Sequence, residues 1–294
     1  MDVIFRGVRG SIAVPGPDTV KYGGNTTCIQ IKTNSGENII LDGGTGIRIV
    51  GQEMLAELPV KCSIFITHTH WDHIQGLPFF LPFFIPGNDV DIYGTFDPIY
   101  QKDIKAILSQ QMEYCYFPLR ENDLNANITY HNVRELETIQ VGEVSVTGLL
   151  MNHPVLNHGY RVEADGKSMF FTGDHEPQTN FYEPGEDGYE EFQADIDEKE
   201  KIIVDFIRGV DLLISDAQYT EEEYPQKTGW GHGTFKKSID LAKKADIKHI
   251  IFTHHEPVRT DQQLDELYQS LLDNRELIGD LKVELAIEGV MISL

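Results

Sequence analysis

A run of seven residues, Thr67-His68-Thr69-His70-Trp71-Asp72-His73, gathers three imidazoles and a carboxylate behind an apolar segment. Side chains two positions apart on a strand leave it from the same face, so a strand ending near Thr67 would present His68 and His70 together to one cation. Asp72 and His73 fall past that strand end, where the turning chain can aim them at a second cation. Chance alone would assemble this pattern in roughly one such chain in a thousand, which favours metal ligands over core histidines. Two cations side by side acidify a water and polarise a substrate oxygen, the chemistry of hydrolysis.

Such residues must be positioned by strands and the turns that follow them. Short β-branched or aromatic runs predict strands at Val3 to Arg6, Thr27 to Lys32, Asn38 to Leu41, Ser63 to Thr67, Val90 to Tyr93, Ile128 to His131, Val144 to Leu150, Tyr160 to Glu163, Ser168 to Thr172, Leu212 to Ser215, His249 to Thr253 and Lys282 to Ile287. Helical spacing predicts helices at Gly46 to Glu57, Asp97 to Glu113, Lys199 to Arg208, Thr234 to Ala245 and Asp261 to Leu277. Strands gather early in each half and helices follow, which predicts a mixed α/β sandwich of two similar halves meeting through their sheets. Glu183 to Glu200 holds nine acidic residues and one lysine, and reads as a solvated loop leading into the Lys199 helix.

The pattern His-x-His-x-Asp-His after an apolar strand resembles the signature of the metallo-β-lactamase superfamily, and further motifs follow in that family's order. They are Leu41-Asp42-Gly43-Gly44, Met151-Asn152-His153-Pro154 with Gly159-Tyr160-Arg161, Phe171-Thr172-Gly173-Asp174, and Phe252-Thr253-His254. The resemblance implies an α/β (α+β type) fold, a four-layer αββα sandwich of two mixed sheets flanked by helices. It spans nearly the whole chain, as one domain over 1–294 with halves of roughly 1–135 and 136–294. Carried over, it assigns His68, His70 and His153 to a first metal and Asp72, His73 and His254 to a second, with Asp174 bridging. The cofactors implied are two divalent ions, with zinc favoured and manganese or iron also suited to imidazole and carboxylate ligands. His158 and His255 neighbour two of these ligands and leave a register ambiguity. His131, His175 and His249 match no motif and are expected in structural roles.

Val210-Asp211-Leu212-Leu213-Ile214-Ser215-Asp216-Ala217, followed by Gly229-Trp230-Gly231-His232-Gly233-Thr234, resembles the phosphodiester-cleaving branch of that superfamily, which includes transfer-RNA 3′-processing endonucleases and cyclic phosphodiesterases. There, Asp216 would accept the His232 Nδ1 proton and His232 would act as general acid, so the catalytic set is His232, Asp216 and Asp72. The alternative is a helix-capping turn with an exposed histidine. The Pro78 to Phe84 stretch either packs the core or walls the site, with core packing the expected use.

Composition narrows the substrate. The formal charge is −23, with no lysine-arginine arm, which disfavours long nucleic acid because phosphate contacts supply most of its non-specific affinity. A small phosphodiester, a 3′,5′-cyclic nucleotide foremost, is therefore the expected substrate. The alternatives are a lactone or thioester hydrolase, and a non-hydrolytic metal-binding or redox protein. No apolar stretch is long enough to span a bilayer, no secretory signal opens the chain, and three scattered cysteines suit a reducing compartment, so a cytoplasmic protein with no membrane partner is expected. Many relatives self-associate, and a homodimer is compatible with the resemblance, although no residue pattern encodes one.

Overall fold

Alternation along each strand decides which layer its side chains enter. In the computed structural model, which describes residues 1–294, β1 (Asp2–Gly7), β2 (Cys28–Lys32), β3 (Asn38–Leu41), β4 (Lys61–Phe65), β5 (Asp89–Gly94) and β6 (Asn127–Asn132) build a first sheet. A second contains β7 (Thr138–Val141), β8 (Val144–Met151), β9 (Asn157–Ala164), β10 (Lys167–Phe171), β11 (Leu212–Asp216), β12 (His249–Thr253) and β13 (Lys282–Leu285). The last strand, β14 (Met291–Ser293), returns to pair with β1 at the edge of the first sheet. Both sheets are mixed: β14 to β3 run antiparallel and β3 to β6 parallel, while β7 to β10 run antiparallel and β10 to β13 parallel.

Ile29, Ile31, Ile39, Leu41, Phe65, Val162, Met169, Phe171, Leu212 and Ile214 form the layer between the sheets. Their alternate neighbours face outward: Ile40 and Ile64 pack under α1 (Ile47–Met54), while Phe170, Leu213 and Ile250 pack under the helices of the second half. Burying the aliphatic residues contributes about 1.5–3 kcal/mol each. The result is the four-layer αββα sandwich. In the Pro78 to Phe84 stretch, Phe80 and Phe83 are buried in the outer core and Phe79 is exposed, edge-on to Phe117, so core packing is its principal use.

Besides a short turn of helix, α2 (Trp71–Ile74), the first half carries α3 (Ile104–Gln110), which is shorter than the expected Asp97 to Glu113 helix. Asp97 and Lys102 exchange backbone hydrogen bonds in a turn, and Asp103 starts the helix by accepting from Ala106 N at 2.7 Å. The acidic segment also departs from expectation: from Tyr189 onward it is α4 (Tyr189–Ile207), not a loop. Ile203, Val204 and Ile207 fall on one helical face and pack against the second sheet, while the acidic side chains stay in water. Then come α5 (Phe235–Lys244), α6 (Asp261–Asp273) and α7 (Arg275–Ile278). No helix is long and apolar enough to cross a membrane.

Parallel register puts the functional loops at one edge. Leu41 pairs with Phe65, Phe171 with Ile214, and Asp216 with Thr253, so the turns after these strands open together.

Candidate metal centre

β4 ends at Phe65, two residues earlier than expected, so His68 and His70 are loop residues and strand alternation does not orient them. Thr67 N–H donates to Asp42 Oδ1 at 2.7 Å, and His158 N–H donates to Thr67 O at 2.9 Å; these bonds, one to each half, fix the turn. The rings of His68 and His70 then meet edge to face at 4.6 Å.

Two sets of side chains converge. In the first, His153 Nε2 lies 3.1 Å from His70 Nδ1, and His68 Nε2 lies 3.4 Å from Asp174 Oδ2. In the second, His73 Nε2 and His254 Nε2 each stand 3.2 Å from Asp174 Oδ1, and His254 Nε2 is 3.1 Å from Asp72 Oδ2. Asp174 thus turns one oxygen to each set. The seven residues assigned to two metals by resemblance occupy one cluster, buried except at His70 and His153, which are half-buried. His255 does not join it, because its Nε2 donates to Ala286 O at 2.9 Å; His158 faces Thr95 instead. His131 pairs with Asp91 and His249 with Glu284, both away from the centre. Buried His175 accepts from Asn152 N–H through Nδ1, and its own N–H donates to Asp216 Oδ2 at 3.1 Å.

The surrounding polar groups select the ring nitrogens that face inward. Asp42 Oδ2 accepts from His73 Nδ1 at 2.7 Å and Gly231 O accepts from His153 Nδ1 at 2.9 Å, which leaves both Nε2 atoms free for a cation. A side chain at Gly231 would put its Cβ 2.4 Å from His153 Nδ1, and the backbone there is left-handed at φ +92°, so only glycine fits. Asp42 and His254 also hold left-handed backbone, at φ 63° and 61°, which ordinary side chains adopt only under constraint.

Charge follows the same geometry. Burial works against protonation of His73, but Asp174, Asp72 and Asp42 outweigh it and raise its pKa well above the ordinary value. Burial likewise opposes the charge on Asp174, yet His254, His73 and His68 hold its carboxyl well below the usual range. Burial drives His68 well down and His153 to about 4, favouring neutral ligand rings. His68 Nε2, His73 Nε2 and Asp174 Oδ1 are buried without any hydrogen-bonding partner. Unpartnered ring nitrogens and a carboxylate oxygen converging in this way suit divalent cations, which would displace the ring protons, and the set contains no thiolate.

Beside this cluster, His232 Nδ1 lies 2.9 Å from Asp216 Oδ2 and its ring stacks on His254 at 4.7 Å. Burial opposes its charge, but Asp216 and Asp174 outweigh burial and lift its pKa to about 9. His232 is therefore an anchored, buried histidine, unlike the exposed one of a helix-cap turn; Thr234 supplies that cap, accepting from Lys237 N–H. Asp42 and Thr67 stand in the sequence only as parts of motifs, with no supporting role assigned, and nothing there singles out Glu176. The only local signals were a carboxylate closing an apolar strand, a hydroxyl beside His68, and a second acid two residues after Asp174.

Residues 37–255 match the model of the β-lactamase superfamily domain. Ribonuclease Z of Staphylococcus aureus (strain MSSA476) is 25% identical over 285 residues, covering 86% of this chain and 90% of that protein. Among solved structures, the metallo-β-lactamase fold protein YhfI of Bacillus subtilis superposes with a TM-score of 0.68 at 17% identity, covering 99% of both chains. The short form of human tRNase Z gives 0.63 at 20% identity, covering 100% of this chain and 99% of the other. With the domain match running from β3 to the turn after β12, the chain belongs to the β-lactamase superfamily and is a hydrolase of the metallo-β-lactamase fold.

Proposed function

We propose that this hydrolase cleaves a small phosphodiester, with a 3′,5′-cyclic nucleotide as the leading substrate and His232 as general acid. The observation that carries this reading is the buried Asp216–His232 pair beside the two-lobed His/Asp cluster. Expelling an alkoxide from phosphorus requires a proton, whereas a thiolate leaves a thioester without one, so a dedicated imidazolium favours the phosphodiester over the thioester alternative. The similarity to Ribonuclease Z supports phosphodiester chemistry, and the charge of −23 supports a small substrate over a long RNA.

His68, His70, His153 and Asp174 would hold one ion, and Asp72, His73, His254 and Asp174 the other; zinc is the proposed metal. Bound there, two divalent cations supply Lewis acidity, lowering the pKa of water and offsetting phosphoryl charge. The protein's own groups do the rest. Asp216 holds the Nδ1 proton of His232, and the N–H of His175 fixes that carboxylate. His232 Nε2 then delivers its proton to the leaving oxygen. Asp72 belongs to the proposed catalytic set through its place among the ligands, and Ser11 N–H steadies its Oδ2 at 2.7 Å. The free thiols Cys28, Cys62 and Cys115 support a cytoplasmic setting.

The test is turnover of 3′,5′-cyclic AMP by a metal-quantified preparation. His232→Ala should lower it by about 10²–10⁴. A loss of only a few fold would remove the acid role. Faster turnover of lactones, thioesters or short RNA in the same panel would replace the substrate assignment.

A further inference from the structure

Glu176, two residues beyond Asp174, is buried and spends its whole carboxylate on one loop. Oε1 accepts from Tyr224 Oη–H at 2.7 Å and from Gly229 N–H at 2.8 Å, while Oε2 accepts from Gly231 N–H at 2.7 Å. Its own backbone is tied to the turn that carries His153: Glu176 N–H donates to Asn152 O at 3.0 Å, and Asn152 Nδ2–H donates to Glu176 O at 2.7 Å. The held loop presents Gly231 O to His153 Nδ1 and leads directly into His232. Lys237 also meets it, with its ammonium 4.1 Å from the centre of the Tyr224 ring, and at the far end Gly233 O accepts from Tyr219 N–H at 3.2 Å.

We propose that Glu176 is a latch that positions the Tyr224 to Gly233 loop, and through it both the proton donor His232 and the orientation of His153. A carboxylate suits the task because all three partners are donors and it offers only acceptors. Gln cannot substitute. Whichever way its amide turns, an NH₂ faces either Gly231 N–H or the Gly229 and Tyr224 donors, and one buried donor loses its partner. Glu176 touches none of the residues assigned to the metals through its side chain, so it acts by holding the loop.

The inference rests on the His232 acid reading only in its kinetic arm. For the structural arm, the readout is the two latched glycine amides, because Trp230 between them is already 58% exposed. Glu176→Gln should speed hydrogen exchange at Gly229 and Gly231 by about 10-fold. Tyr224→Phe removes one of the three bonds and should give a smaller rise; it carries the test if Glu176→Gln does not fold. For the kinetic arm, rates are normalised to bound metal. Glu176→Gln should slow cyclic AMP, which leaves as an alkoxide, by about 10- to 100-fold. It should slow bis(p-nitrophenyl) phosphate, whose nitrophenolate needs no proton, by less than about threefold, the pattern also expected of His232→Ala. Unchanged exchange in both variants overturns the latch. A mobile loop with both substrates slowed equally, or neither slowed, overturns the positioning role. If His232→Ala itself fails to discriminate between the substrates, the acid reading falls, and the latch stands or falls on hydrogen exchange.

Discussion

Replacing Asp42 by Asn isolates how much of the second candidate site depends on one outer carboxylate. The backbone change is small, because Asn tolerates the left-handed conformation at φ 63° as well as Asp does. The side chain of Asp42 accepts from Thr67 N–H at 2.7 Å through Oδ1 and from His73 Nδ1–H at 2.7 Å through Oδ2, while the Thr67 hydroxyl reaches both oxygens. An amide can satisfy only one of these two nitrogens as acceptor. If its oxygen keeps Thr67 N–H, its NH₂ faces His73, which must then carry its proton on Nε2, the atom that faces Asp72 and Asp174. If the amide flips, Thr67 N–H is buried without a partner, at a cost of about 1–3 kcal/mol. The first arrangement weakens metal binding by about 10- to 100-fold, or 1.4–2.8 kcal/mol. The loss should fall mainly on the Asp72, His73, His254 set, because Asp42 reaches the first set only indirectly, through the Thr67 hydroxyl 3.1 Å from His68 Nδ1. Chelator competition on the zinc-loaded protein, with a thermal melt as control, reads both consequences. Two zinc ions retained at native affinity in Asp42→Asn would refute the reasoning about His73.

Asp174→Ala should reduce bound zinc more than either Asp72→Ala or His254→Ala, because its two oxygens face different sets; equal losses measured by metal analysis would count against bridging. Asp216→Asn should reproduce the His232→Ala defect on cyclic AMP, about 10²–10⁴, and full activity would reduce Asp216 to a structural partner. His158 yields a pH prediction for the metal-free protein. Burial lowers its folded pKa to about 4 against an ordinary 6.5, so between those values the unfolded chain binds more protons and stability falls as pH falls. From pH 7 to pH 5 the loss from this group is about 2 kcal/mol, and urea unfolding of His158→Gln should be less pH-sensitive by that amount.

Much of this arrangement was legible in the sequence because its signals are local. Apolar alternation in Ile29 to Ile31 and short apolar runs at Met169 to Phe171 and Leu212 to Ile214 locate strands, and the spacing of His68 to His73 singles out a cluster before any fold is known. What escaped depends on approach between distant segments. Glu176 and Gly231 meet across 55 residues with no shared periodicity. His68 and His70 converge through a turn held by Asp42, not through strand geometry. The end of α4 was expected from Lys199 onward, but its first turns, Tyr189 to Glu198, were masked by their acidic residues, and β7 and β14 were not singled out. In each case a long-range hydrogen bond or a packing surface decides the local structure, and neither is encoded in neighbouring residues.

Each proposed ion would draw two ligands from the first sheet's loops and two from the second's: His68 and His70 with His153 and Asp174, Asp72 and His73 with Asp174 and His254. Neither half of the polypeptide therefore owns a complete coordination sphere. A nick in the connection between β6 and β7 would yield two fragments whose reassociation is tied to metal occupancy, with β14 of the later fragment completing the sheet of the earlier one. The ions would then act as rivets as well as reagents, and stripping them should loosen the seam between the halves before it unravels either sheet.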